Sequence, residues 1–439
     1  MISGANSSLR SDCLSAQIAF LLLASLAALA QAPSPIDLAK AKDAFAEAQK
    51  VSNKDGGRLW GKTLYGPMLL VDPETRSVVA NEPDNGGVLH RDGTVYVGKL
   101  PESVMVADTP TEWGGKRWTM LRWPLPEDTL TRQIEFGHEM FHRIQPELHL
   151  DAPDSSNRHL DTAQGRLWLQ LEWRALAAAL AESGPAQVRA IRDALAFRAH
   201  RRQLFPNSAT TESSLEIAEG IPEYTGYVAA LPDSDSARWR AIAKVSDPDL
   251  TLTFVRAFAY TSGPAYGLLL DQHQPGWRKK LTAHSDLGEI LASTLQGSAK
   301  VSAEERAHLY GWSAIQMEEA DRSAKLEAVK ARYRALLVDG PTLTLPKSKA
   351  FKFSFNPSTL ISLGNAGTVY PTFHASDSWG VLDVKDGALV PADFSSATVA
   401  APADTKGPHL HGPGWTLDLT AGWHLVPASK SGSYTLQKE

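Results

Sequence analysis

The chain has 439 residues, 43% of them hydrophobic and 21% charged, with a formal net charge of −5. This is ordinary globular composition, enough for two or three domains. The mild negative charge gives no reason to expect nucleic acid or an anionic membrane as partner.

At the N-terminus Arg10 precedes an apolar run from Ile18 to Ala30, too short and alanine-rich for a membrane span. Ala28-Leu29-Ala30 has the form of an A-x-A cleavage site, so residues 1–30 read as a secretory signal peptide. The mature protein is then expected in the periplasm of a bacterium or outside the cell, with no stable membrane insertion. Cys13 is the only cysteine and falls inside this segment, so no disulfide is expected and the core must hold the fold.

Residues 35–52, with Ile36, Leu38, Ala39, Ala44, Phe45 and Ala48, have the spacing of an amphipathic helix. From 60 to 125 the period shortens. Leu69-Leu70-Val71, Val78-Val79, Val88-Leu89, Val95-Tyr96-Val97, Val104-Met105-Val106 and Trp118 to Trp123 read as strands between Pro, Gly and Asp turns. Residues 31–126 thus form a β-rich part. Residues 127–340 are helical in pattern. One long helix runs from Leu160 to Leu180, the next from Gln187 to Leu204, and the last over 309–338. Arg189, Arg192, Arg198, Arg201 and Arg202 on the second are expected to form a solvated or ion-paired face. From 341 to 439 closely spaced strands such as Thr342–Leu345, Phe351–Phe355 and Trp415–Leu419 predict a β-sandwich or small barrel. The expected class is therefore α+β, with a small mixed sheet, a helical part and an all-β C-terminal domain.

Residues 138–142 read His-Glu-Met-Phe-His. Leu130, Ile134, Gly137, Phe141 and Ile144 recur at helical spacing around them, Pro126-Glu127-Asp128 suits a helix start, and Pro146 suits a stop. On a helix, His138 and His142 stand one above the other and can hold one metal ion, while Glu139 beside them can take a proton from water. The spacing is that of a zinc-dependent hydrolase. Zn²⁺ is the expected cofactor.

A third ligand is needed. The extended motif with glycine and a further histidine fails, because Gln145 and Leu148 stand where they should be and His149 misses the register by one. Glu212, Glu216, Glu219 and Glu223 step by helical intervals and are expected on one face, among apolar neighbours and with Gly220 and Pro222 breaking the local rule. Glu172, on the Leu160–Leu180 helix, is the fallback. His409 and His411, between Gly-Pro pairs, are expected in a turn rather than at a metal.

Glu219-Gly220-Ile221-Pro222-Glu223-Tyr224 resembles the E-G-x-A-E-Y segment that follows H-E-x-x-H in gluzincin metallopeptidases, with proline where alanine is common. Tyr260-Thr261-Ser262-Gly263 resembles their Y-x-x-G element. The resemblance implies a zincin-like catalytic domain with His138, His142 and Glu219 on zinc. It also implies that Glu223 orients an imidazole, that Glu139 acts as general base, and that Tyr260 donates to the developing oxyanion. Tyr224, Tyr227 and Tyr266 compete for that last role. In such enzymes the strand before the zinc helix, here Trp118–Trp123, offers an edge to extended substrate. A peptide or protein substrate follows. No G-x-M-E-N segment precedes His138, so recognition of a free amino terminus is not expected. The rival readings are an exported zinc protein without catalysis and a zinc hydrolase of non-peptide bonds.

Overall fold

A computed structural model describes residues 36–153, 155–247, 253–296, 302–356 and 359–439. Residues 1–30, expected to be a signal peptide, and with them Cys13, lie outside the described residues. No helix among the described residues is long and apolar enough to cross a membrane.

Helix α1 (Leu38–Asp55) starts at Asp37, whose side chain accepts from the Ala39 and Lys40 amides, and stops at Gly56 with φ 58°. It leads into a six-stranded sheet of β1 (Met68–Val71), β2 (Ser77–Ala80), β3 (His90–Asp92), β4 (Val95–Lys99), β5 (Thr109–Trp113) and β6 (Lys116–Arg122), in the order β3-β4-β2-β1-β6-β5. β1 and β6 run parallel, with Leu69 opposite Met120, and the other pairs are antiparallel, so the sheet is mixed. Leu70 and Leu121 face the main core, while Leu69, Trp118 and Met120 face a smaller cluster with Val106. Three expectations change here. Val88-Leu89, just before β3, and Val104–Val106 lie in loops rather than strands. β6 is also internal: β5 occupies its outer side, so the free edge belongs to β5. Pro110 suits that place, since an edge strand can spare an N–H.

The helical part comprises α2 (Thr129–Ile144), α3 (Ala163–Ala181), α4 (Gly184–Leu204), α5 (Ser208–Leu215), α6 (Ile221–Ala230), α7 (Ser234–Ser246), α8 (Ala257–His273), α9 (Leu287–Ser293), α10 (Ala303–Ala307) and α11 (Trp312–Arg334). One core runs from Ile36 through the sheet's inner face to Ile315.

The C-terminal region is all β: β7 (Thr342–Pro346), β8 (Lys352–Phe355), β9 (Ile361–Ser362), β10 (Thr368–Tyr370), β11 (Phe373–Asp377), β12 (Gly380–Val384), β13 (Ala388–Val390), β14 (Ser396–Ala400), β15 (His409–Gly412), β16 (Trp415–Leu419), β17 (Trp423–Pro427) and β18 (Tyr434–Lys438). They form a seven-stranded sheet, β17-β18-β7-β14-β13-β10-β9, and a five-stranded one, β15-β16-β12-β11-β8. Leu343, Leu345 and Val399 of the first share a core with Phe373, Leu382 and Leu417 of the second. His409 and His411 lie on a strand rather than in a turn, and His409 Nδ1 pairs with Asp418 at 2.7 Å.

One buried charge is unsatisfied. Asp161, in the turn before α3, has two carboxylate oxygens without a hydrogen-bond partner, and burial pushes its pKa from 3.8 to about 6. The folded chain then binds this proton more tightly than the unfolded chain. Its contribution to stability is full below about pH 4 and is lost as pH rises through about 6. Above that, the ionised group costs about 2–3 kcal/mol. Asp161→Asn should therefore be more stable than wild type by about that amount in urea unfolding at pH 7.5, with the gap closing near pH 4. A gap that ignores pH would refute the assignment.

Candidate metal centre

α2 is placed by both its ends. Asp128 Oδ1 accepts from the Thr131 amide at 2.7 Å, and after Ile144 the chain tightens into a 3-10 turn, Gln145–Leu148, around Pro146. Ile134, Phe136, Phe141 and Ile144 are buried. His138 and His142 follow Ile134 at intervals of four, so they continue this packed side of the helix, one turn apart, and His138 is itself buried.

Their Nε2 atoms lie 3.0 Å apart. Glu219 Oε2 is 3.6 Å from His138 Nε2 and 3.5 Å from His142 Nε2. Tetrahedral zinc, with bonds of about 2.0–2.1 Å, separates its ligand atoms by roughly 3.3 Å. The three edges of this triangle bracket that value. Among the described residues this is the one group of three or more such side chains that could hold a metal ion.

The outer hydrogen bonds fix the tautomers. His138 Nδ1 is 2.9 Å from Glu223 Oε2, which can only accept from it. Gln145 Nε2 donates to the carbonyls of Leu150 and Ile217, so its Oε1 accepts from His142 Nδ1 at 2.8 Å. With both Nδ1 atoms protonated, both Nε2 lone pairs face each other beside a carboxylate. Three electron-pair donors converge on one point, and that arrangement calls for a cation. The residues therefore fit zinc. Without one, burial would lower the His138 pKa, but Glu219 and Glu223 outweigh it and raise it well above the usual histidine value. Burial likewise opposes ionisation of Glu219, yet the two imidazoles hold it well below the usual carboxylate range.

Glu139 is 7% exposed, and its Oε2 has no hydrogen-bond partner. Burial pushes its carboxyl pKa up, against the pull of His138 and His142. Tyr260 stacks on His138, with ring centroids 5.6 Å apart and planes within 4°, and its hydroxyl donates to Glu219 Oε2 at 2.7 Å. Tyr224 and Tyr266 are turned elsewhere, to Asp271 and Glu172.

Two close helix crossings bring the ligands together. A Cβ on Gly137 would lie 2.7 Å from Gly226 Cα, so α2 and α6 touch backbone to backbone. A Cβ on Gly263 would lie 2.3 Å from Gly220 Cα, so α8 passes equally close to the turn that carries Glu219. Tyr260 precedes Gly263 by one helical turn and so arrives beside Glu219.

That turn is a π-turn, Glu216–Gly220, between α5 and α6. It corrects the expectation of four glutamates on one face. The extra residue per turn rotates the second pair away from the first. Glu219 and Glu223 meet the histidines, whereas Glu212 and Glu216 enter a buried ionic cluster. There Arg198 donates to both oxygens of Glu216, at 2.8 and 2.5 Å. Arg201 donates to both oxygens of Glu212, at 2.8 and 3.0 Å, and also to Glu172. Arg202 bridges Glu212 and Asp286, and His159 adds a contact to Glu212 at 2.8 Å. Burial would raise the Glu212 pKa, but Arg201 and His159 hold it well below the usual range. The arginine set is thus solvated only in part: Arg189 is exposed, while Arg198 and Arg201 are buried. Glu172, the fallback ligand, is wholly buried, with both oxygens engaged by Arg198, Arg201 and Tyr266.

Two contributors escaped the sequence reading. Gln145 orients His142, and Arg256 donates to Glu219 Oε1 at 3.1 Å. Gln145 stands three residues after His142 and Arg256 four before Tyr260, spacings that place each beside its neighbour on a helix. Compared with known proteins, the chain matches no family model, no curated protein and no solved structure.

Proposed function

We propose that this chain is an exported zinc metallopeptidase with a zincin-like catalytic part of gluzincin type, acting on peptide or protein substrates. The observation that carries the reading is the convergence of three lone-pair donors beside a buried carboxylate with an unpartnered oxygen. His138, His142 and Glu219 would hold a zinc ion, which when bound would supply Lewis acidity toward a carbonyl and toward water. Glu139 Oε2 takes the proton of the attacking water and returns it to the leaving amine. Glu223 and Gln145 keep both Nδ1 atoms protonated, so both Nε2 atoms remain ligands. The reading gives Tyr260 the part of donor to a developing oxyanion, supported by its hydroxyl lying beside Glu219. The free edge of β5 is the place where an extended peptide can add a strand.

The test is metal analysis of purified protein beside peptide cleavage. Wild type should carry one zinc per chain and cleave peptides. Glu219→Ala should lose the metal, while Glu172→Gln should keep it. A wild-type chain that binds no zinc, or a Glu219→Ala variant that binds it fully, would defeat the reading.

A further inference from the structure

Glu135 stands on α2 three residues before His138 and four before Glu139, so it neighbours both on the helix surface. Its side chain is half-buried, yet among the described residues no hydrogen bond or ion pair reaches its carboxylate. Both of its oxygens keep access to solvent. The acids around it are engaged. Asp108, just before β5, accepts from the Arg122 amide at 2.8 Å and from Arg122 Nε at 2.7 Å. Glu219 is held by Arg256 and Tyr260, and Glu223 meets His138. One turn on from Glu135, Glu139 is 7% exposed and its Oε2 is without a partner.

This arrangement is costly for the fold itself. Like charges four apart on a helix repel, and partial burial adds to the cost of ionising them. Burial, Asp108 and Glu139 push the Glu135 pKa up to about 7, against the pull of His138 and Arg122. A helix that only had to pack would do better with an apolar or amide side chain here. A carboxylate with such neighbours, beside a candidate catalytic centre and open to solvent, suits a part in binding. What it lacks is a positive partner. Arg122, which bears on it, is already taken by Asp108. The partner therefore comes from outside. A peptide laid along the free edge of β5 passes the start of that strand, where Asp108 bears on Glu135. Lysine or arginine would bring the missing charge on a long apolar stem, which suits a half-buried acceptor.

We propose that Glu135 is a specificity-determining residue, whose carboxylate receives the lysine or arginine side chain of a substrate residue next to the bond that is cut. The proposal rests on the peptidase reading for the cleavage, but capture of the cation stands on the α2 face itself.

Three hexapeptides, acetylated and amidated, with alanine at the ends and a central pair of lysine, norleucine or glutamate, test it. Wild-type kcat/KM should be roughly tenfold higher for lysine than for norleucine, and lowest for glutamate. Glu135→Gln should bring lysine and norleucine within about twofold of each other. Glu135→Lys should place glutamate ahead of lysine. The readout is a ratio between peptides, which a merely structural role of Glu135 would not move. A second readout needs no turnover: calorimetric titration of zinc-loaded Glu139→Gln protein with the lysine and norleucine peptides, with and without Glu135→Gln. Tighter binding of lysine that requires Glu135 supports the site even if no peptide is cleaved, in which case only the peptidase reading falls. Cleavage without preference for lysine, or a preference that survives Glu135→Gln, overturns the site and leaves the peptidase reading intact. A norleucine peptide with a free amino terminus that outcompetes the blocked lysine peptide, and needs Glu135 to do so, overturns the assignment to a side chain. With no cleavage, binding of neither peptide overturns both readings.

Discussion

On the proposed function, Glu139→Gln should keep zinc and lose peptidase activity. Glutamine preserves the shape of the side chain, and Glu139 makes no bond to the three ligand atoms, so the triangle of His138, His142 and Glu219 is untouched. What disappears is a base. Removing a positioned proton acceptor costs about 10²–10⁴-fold in rate, and kcat should carry that loss. Stability should not fall, since Oε2 has no hydrogen-bond partner to forfeit and a buried charge is removed. Zinc content and cleavage rate measured on one preparation separate the two roles. Activity within tenfold of wild type would remove Glu139 from the chemistry, and loss of zinc would place it among the ligands.

Arg201→Met should unfold the protein more readily by about 3–5 kcal/mol. Arg201 is wholly buried, and its guanidinium is shared by Glu172 and Glu212, themselves wholly buried. Methionine fills the space of the stem and leaves two carboxylates with less compensation, which is what makes breaking a buried ion pair costly. Arg189→Met, on the exposed part of the same helix, should change stability by no more than about 0.5 kcal/mol. Urea unfolding of both variants decides the matter. A cost below about 1 kcal/mol for Arg201→Met would mean that water enters the cluster.

The sequence shows much of the centre and little of what holds it. α2 is legible because it combines a periodic apolar stripe, an acidic N-cap and a proline stop. β1, with its unbroken apolar run, and β7 and β16, with their alternation of polar and apolar residues, are legible for a similar reason. β5 is not, because Thr-Pro-Thr-Glu-Trp has neither alternation nor an apolar run, and its place at the edge depends on β6. β10 and β13 have three residues each, too few for a period to register. The π-turn is hidden for a deeper reason. Four glutamates at helical intervals read as one face in any straight helix, and one inserted residue divides them between the candidate metal site and an ionic cluster. Arg198 and Arg201 are ion-paired as expected, but their burial is not legible, because composition counts charge and not the partners that make its burial tolerable.

The four glycines at the two helix crossings have a consequence for how such a centre diverges. Gly137, Gly220, Gly226 and Gly263 set the ligand spacing through bare main chain, so the surrounding side chains can drift without moving a ligand atom. A single methyl group at any of the four would displace a helix axis instead. Distant kin should therefore be recognisable by a sparse fingerprint, Gly-His-Glu-x-x-His, then Glu-Gly with a second glycine six residues on, then Tyr-x-x-Gly, even where the intervening helices have changed length beyond alignment.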